Sequence, residues 1–272
     1  MTAAVGTMAR VGTRRGVPPW AVYLLVSVIG VAAFLYPFWL PTSSLPDQAH
    51  AGDAPLVAGV VGGLALVALA LEVRRGTMTA MTVAVLGVLA ATDGLLRLVA
   101  LPVGGNAIYF FLILAGAAFG PRFGMLLGLS ALAVSAVVTG GIGPWLPFQM
   151  LTAAWMGAGA GAIGLLSVRW PRRTEVVVLA LYGWAWGFLF GAIMNFWFWP
   201  YQRGGDLAWV PGSGLAGTLS HYWSFYVTTS FAYDAARAFP NLILILLTGG
   251  AVLATLRRFA HRLDPIVEFS ED

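Results

Sequence analysis

Apolar runs of about 20 residues recur along the chain, broken by short segments that collect arginine, proline and glycine. A run of that length matches a helix crossing the roughly 30 Å hydrocarbon core of a bilayer. Eight such spans are predicted. They run from Trp20 to about Leu40, Pro55 to Val73, Thr77 to about Leu101, Ala107 to Phe119, Phe123 to Thr139, Pro147 to Val168 and Glu175 to Trp199, with a last one ending at Leu256. The start of the last span falls anywhere between Tyr222 and Tyr233, after a polar and aromatic loop from Pro200 to about His221. "QAHA" (Gln48–Ala51) faintly resembles a signal cleavage site. The run before it is too long for the apolar part of a signal peptide, so the first span is read as a retained helix.

Composition agrees with the pattern. Hydrophobic residues make up 59% of the 272, and charged residues only 10%, against roughly 25% in soluble domains. Mean hydropathy is +0.84. The fold class is therefore all-α and polytopic, with about eight transmembrane helices. The net charge of +4 would suggest nucleic acid in a soluble protein. Here every basic residue is an arginine and most lie between spans, which gives them a topological meaning and leaves no case for a nucleic-acid partner. With the N-terminus inside, the inner segments hold Arg10, Arg14, Arg15, Arg74, Arg75, Arg122, Arg169, Arg172, Arg173, Arg257, Arg258 and Arg262, and the outer loops proper hold Arg203. Positive charge favours the cytoplasmic side, so a multi-pass protein of the plasma membrane with both termini cytoplasmic is expected.

Small residues recur at spacing four as Ala80 and Ala84, as Ala153, Gly157 and Gly161, and as Gly183, Gly187 and Gly191. Helices in lipid approach closely through such rows. Each row reads either as packing inside the bundle or as a docking face for a partner helix. The third row continues into Asn195, on the same helical stripe, and then into "FWFWPYQ". A buried amide needs a partner: a side chain, water or a ligand. Asp93 with Arg97 (i,i+4) and Asp234 with Arg237 (i,i+3) read as intrahelical pairs near the outer surface, serving either as helix-end anchors or as functional charges. Aromatic residues crowd the outer side, among them Trp145, Phe148, Trp197, Trp199, Tyr201, Trp209, Tyr222, Trp223, Tyr226 and Tyr233, whereas the inner side has chiefly Trp170. A plain aromatic belt marks both interfaces. The asymmetry favours an outward-facing site for a flat organic solute, oriented by polar groups such as Gln149, Asn195 and Asn241.

The chain has no GxxxxGK[ST] phosphate loop, no HExxH and no cysteine. Neither a metal site nor a cofactor is expected, and the chain cannot hydrolyse ATP through such a loop. No two-fold repeat with broken helices is visible, as many secondary transporters show.

From about Thr77 to Arg262 the chain resembles the membrane-embedded substrate-binding (S) component of energy-coupling factor transporters. The resemblance rests on "TAMTVAVLGVLAATDGLLRLV", "FFLILAGAAFGPRFGMLLGLSALAVSAVVTGGIGPWLPFQM" and "YDAARAFPNLILILLTGGAVLATLRR". It implies a six-helix substrate-binding core at 77–262, with a short cytoplasmic tail at 263–272; the two extra transmembrane helices in 1–76 and the long loop from Pro200 to His221 depart from the family's pattern. It also implies tight binding of a vitamin-like solute from outside, no catalysis, and work done by a T-type transmembrane subunit with two cytoplasmic ATPases. By position, Ala80 and Ala84 match the face that docks on the T-type subunit, and Pro102–Asn106 the gating loop. The solute pocket maps to Trp145, Gln149, Asn195, Trp199, Tyr233, Asp234 and Asn241. "GPWLPFQM" is similar to S components assigned to corrinoids. Two other classes compete. One is a membrane enzyme acting on lipid, with Asp93, Asp234 and His221 as its acid–base set. The other is a ligand-free assembly subunit.

Overall fold

The structure is a computed structural model that describes residues 18–40, 45, 48–101 and 107–263. The expected gating loop Pro102–Asn106, the arginines at 10, 14 and 15, and all but the first residue of the expected tail lie outside the described residues. Nine helices occur among the described residues: α1 (Pro19–Leu35), α2 (Ala54–Arg74), α3 (Ala80–Leu96), α4 (Ile108–Phe119), α5 (Pro121–Thr139), α6 (Leu146–Leu166), α7 (Arg172–Phe198), α8 (Gly214–Thr229) and α9 (Phe231–Leu263). Short 3₁₀ turns extend α1 (Tyr36–Trp39) and α7 (Trp199–Tyr201). The protein is an all-helical membrane protein. Six of its helices, α1, α2, α5, α6, α7 and α9, are long and apolar enough to cross a bilayer, while α3 and α4 are apolar but have only 17 and 12 residues.

Local sequence sets the helix ends. Thr79 caps α3 by accepting a hydrogen bond from the Thr82 amide at 3.2 Å, which satisfies one of the free N–H groups of the first turn. Between α4 and α5 the chain turns at Gly120, whose φ of 94° suits glycine. Pro121 opens the next helix, where its missing N–H costs nothing.

Packing depends on glycine. A Cβ on Gly157 would lie 2.2 Å from the carbonyl oxygen of Gly124, and one on Gly128 would lie 2.5 Å from the carbonyl of Ala153. The backbones of α5 and α6 are thus in direct contact, and Gly164 meets Ala117 of α4 in the same way. The α7 row behaves alike: Gly183 faces Ile245 and Asn241, Gly187 faces Ala238, and Gly191 faces Asp234, all on α9. Both glycine rows are therefore internal seams. The α3 row differs, because Ala80 and Ala84 are exposed and a Cβ on Gly87 would meet nothing within 4 Å.

The α7–α9 register also explains α8. Rising numbers on α7 meet falling numbers on α9, so the two helices are antiparallel neighbours and the chain leaves one and enters the other at the same end. Part of the expected loop from Pro200 to His221 is thus helical. The last helix starts at Phe231, and α8 lies at that end of the bundle. Only Phe225 and Tyr226 of α8 are buried. α1 packs on the core through Phe34, 4.9 Å from Phe148, and through Ser27, which accepts a hydrogen bond from the Trp155 indole at 3.1 Å.

Replacing Gly157 by leucine is expected to lower stability in detergent micelles by about 3 kcal/mol or more, since the side chain must displace backbone. Gly59→Leu, where a Cβ has nothing within 4 Å, is expected to change it by less than about 0.5 kcal/mol. Thermal unfolding of the two variants checks this contrast.

Candidate functional site

Most of the described arginines gather at one end of the bundle and the larger ring clusters at the other, where Arg203 and Arg237 are exceptions. At the arginine-bearing end, Arg257 pairs with buried Glu175 at 2.8 Å and Arg122 approaches buried Glu72 at 3.4 Å. The other end is roofed by rings, in two clusters on opposite sides of the α7 tip.

The first cluster surrounds His50, which precedes α2 and is 0% exposed. Its ring centroid lies 4.5 Å from that of Phe148, 5.1 Å from Tyr201, 5.7 Å from Tyr36 and 6.0 Å from Trp197, the last nearly parallel. Trp145 meets Trp197 edge-on at 6.3 Å. Nδ1 of His50 lies 2.7 Å from Oδ2 of Asp53, so the neutral ring donates there and keeps a lone pair on Nε2. Nε1 of Trp197 has no partner, and neither Nε2 of His50 nor the hydroxyl of Tyr201 makes a well-formed hydrogen bond, the nearest groups being the Trp197 backbone and the Tyr36 hydroxyl. The backbone of His50 is left-handed, with φ 56°, a conformation costing about 1–3 kcal/mol in a residue other than glycine. Such strain persists where the surroundings impose it, and it clusters at functional sites.

The second cluster lies in the α7–α9 seam. Oδ1 of Asn195 accepts a hydrogen bond from Ser230 at 2.7 Å, while its buried Nδ2 makes no well-formed hydrogen bond. Arg237 donates to Asp234 at 2.8 Å and to the Gly187 carbonyl at 3.1 Å, and lies 4.7 Å from the Phe190 ring centroid. The expected Asp234–Arg237 pair is present, yet Oδ2 of Asp234 makes no well-formed hydrogen bond. Asn241 donates to the Gly183 carbonyl at 3.4 Å and leaves its Oδ1 unpaired.

The seven expected pocket residues therefore divide. Asn195, Asp234 and Asn241 share the seam. Trp145 belongs to the His50 cluster. Gln149 sits half-buried in the first turn of α6, beside Phe148. Trp199 is 1% exposed and packs between Phe38, Tyr222 and Phe225, its indole donating to the Leu207 carbonyl. Tyr233 is 74% exposed and meets neither cluster. His50, Tyr36, Trp197 and Tyr201 are members that sequence reasoning did not place in the pocket. The available signal was Trp197 and Tyr201 within the aromatic run, whereas nothing local marks a histidine between two spans as buried.

The expected Asp93–Arg97 pair does not form. Arg97 keeps a helical backbone (φ −62°, ψ −27°) just past the end of α3, but Asp93 turns into the protein while Arg97 stays half-exposed. Asp93 is 0% exposed, and neither of its carboxylate oxygens has a hydrogen-bond partner. No hydrogen bond or ion pair links any two of Asp93, Asp234 and His221 among the described residues.

No known family model, curated protein or solved structure matches the chain.

Burial holds the His50 imidazole below its ordinary protonation range, with the Asp53 carboxylate opposing that shift. The folded ring thus binds fewer protons than a free one, so its seat in the cluster is stable above about pH 6.5 and weakens as the pH falls below that value. Emission from the neighbouring Trp197 is expected to change reversibly below pH 6.5 in the wild type and to stay flat in His50→Gln.

Proposed function

We propose that the protein is the substrate-binding membrane subunit of an importer of the energy-coupling factor type. It takes up a flat, vitamin-like solute at the aromatic end and delivers it with the help of a T-type subunit and two ATPases. The observation that carries this reading is a set of buried polar atoms at that end without a well-formed hydrogen bond: Trp197 Nε1 has none, and His50 Nε2, Tyr201 Oη, Asn195 Nδ2 and Asp234 Oδ2 have only the looser neighbours offered by the Trp197 backbone, Tyr36, Tyr222 and Tyr226. Buried polar groups are nearly always hydrogen-bonded, and leaving one unmade costs about 1–3 kcal/mol. Acceptors and donors set among aromatic faces suit the edge of a planar heterocycle whose faces stack on the rings.

Two further features support the reading. Ala80 and Ala84 lie on an exposed face of α3 that also carries Gly87, Met81 (63% exposed) and Val88 (65%). Small residues on an uncovered face allow a partner helix close approach, and in this reading the partner is the T-type subunit. The segregation of arginine to one end supports eight crossings of the plasma membrane with both termini cytoplasmic. The loop carrying His50 and the helix α8 then lie outside, as the parts that admit solute and close over it.

Ala84→Trp is expected to reduce co-purification of a T-type subunit and its ATPases at least tenfold and to leave solute binding unchanged. Asn195→Leu is expected to weaken solute binding about 10- to 100-fold, the loss of one or two hydrogen bonds. Ser230→Ala, which breaks the same internal bond but keeps Nδ2, is expected to weaken it by less than about threefold. Equal losses in the two binding variants, or unaltered assembly in Ala84→Trp, would count against the assignment.

A further inference from the structure

A cavity of about 860 Å³ opens at the arginine-bearing end, opposite the aromatic roof. Its walls come mostly from helix ends: the start of α1, the ends of α2 and α4, the turn into α3 with its first residues, the start of α5, and the ends of α6 and α9. Walls made of helix termini place it at headgroup depth rather than at the bilayer centre.

The polar lining is built. Glu72 is 1% exposed, and its Oε2 is held by Thr77 and Arg122. Its Oε1 makes no well-formed hydrogen bond. The buried Tyr23 hydroxyl makes no well-formed hydrogen bond; it lies beside the Glu72 carboxylate, its loose neighbour, and within range of the charge on Arg122. Arg257 and His261 complete the polar side. The charges balance, since Arg122 and Arg257 face Glu72 and Glu175. A balanced site does not select a net anion. It offers a carboxylate oxygen that needs an N–H donor beside guanidinium and hydroxyl groups that suit a phosphate. The remaining wall is apolar and reaches the bundle surface through Trp20 (57% exposed), Leu165 (63%) and Val168 (74%).

We propose that this cavity binds a zwitterionic amphiphile whose head joins a primary ammonium to a phosphate, as in a phosphatidylethanolamine. The ammonium donates to Oε1 of Glu72. The phosphate accepts from Arg122 and Tyr23, and the acyl chains run along the apolar wall into the surrounding lipid. The site is independent of the solute-binding reading.

The test is native mass spectrometry of the purified full-length protein in maltoside detergent with added lipid. Dioleoylphosphatidylethanolamine is expected to be retained at least fivefold more than dioleoylphosphatidylcholine, which has the same charges but no N–H donor. It is also expected to outlast dioleoylphosphatidylglycerol. Glu72→Gln is expected to lower this retention about tenfold. Tyr23→Phe, which removes the hydroxyl beside Glu72 and keeps the carboxylate with its Thr77 and Arg122 contacts, is expected to lower it about threefold. Equal retention of the choline lipid, stronger retention of the glycerol lipid, or full retention in both variants would overturn the proposal. Displacement by an equal concentration of soluble glycerophosphoethanolamine would also overturn it, because the ligand would then be a free solute rather than a lipid.

Discussion

The bundle depends on backbone meeting backbone. In lipid, apolar side chains gain little by touching one another rather than acyl chains, so close contact through small residues is what holds helices together. Gly124 and Gly157 bring α5 against α6, and Gly183, Gly187 and Gly191 bring α7 against α9. The second seam sets the register that places Asn195 beside Ser230 and Arg237 beside the Gly187 carbonyl. A shift of one residue along it would scatter these groups around the helix.

The two ends of the bundle are built on different principles. At the arginine-bearing end, buried carboxylates are matched by guanidinium groups, and those charges fix how the helix ends meet. At the aromatic end, rings supply the packing and several polar atoms lack a well-formed hydrogen bond. Such groups weaken the fold, and proteins retain them where function needs them. The left-handed backbone of His50 adds strain at the same place. The instability and the candidate chemistry therefore coincide, and they do so beside two segments, 48–53 and α8, that cover the end without crossing the bundle.

Much of the scaffold was legible because hydropathy and small-residue spacing are local signals. The stripe from Gly183 to Asn195 could be drawn from the sequence, and Asn195 does face protein. What covers that stripe was not legible, because antiparallel pairing of α7 with α9 is a long-range fact. The same limit hid α8, whose sixteen residues are too polar for a span. Asp93 and Arg97 show the limit of spacing rules: helical geometry reaches both residues, yet Asp93 is fully buried while Arg97 is half-exposed, and spacing does not say which way each side chain turns. His50 was overlooked for a similar reason. Its burial arises from rings on the α1 extension and on α6 and α7, the latter two roughly a hundred positions away or more.

The central claim is that the polar atoms left without a well-formed hydrogen bond at the aromatic end are completed by a small organic solute. Mass spectrometry of small molecules carried through purification of the wild-type protein from its own membranes tests this most directly. The account predicts a single planar heterocyclic species at close to one per protein, lost when His50 and Asn195 are both replaced. Recovery of no such species from protein purified with its membrane lipids, or of one retained equally by the double variant, would contradict it.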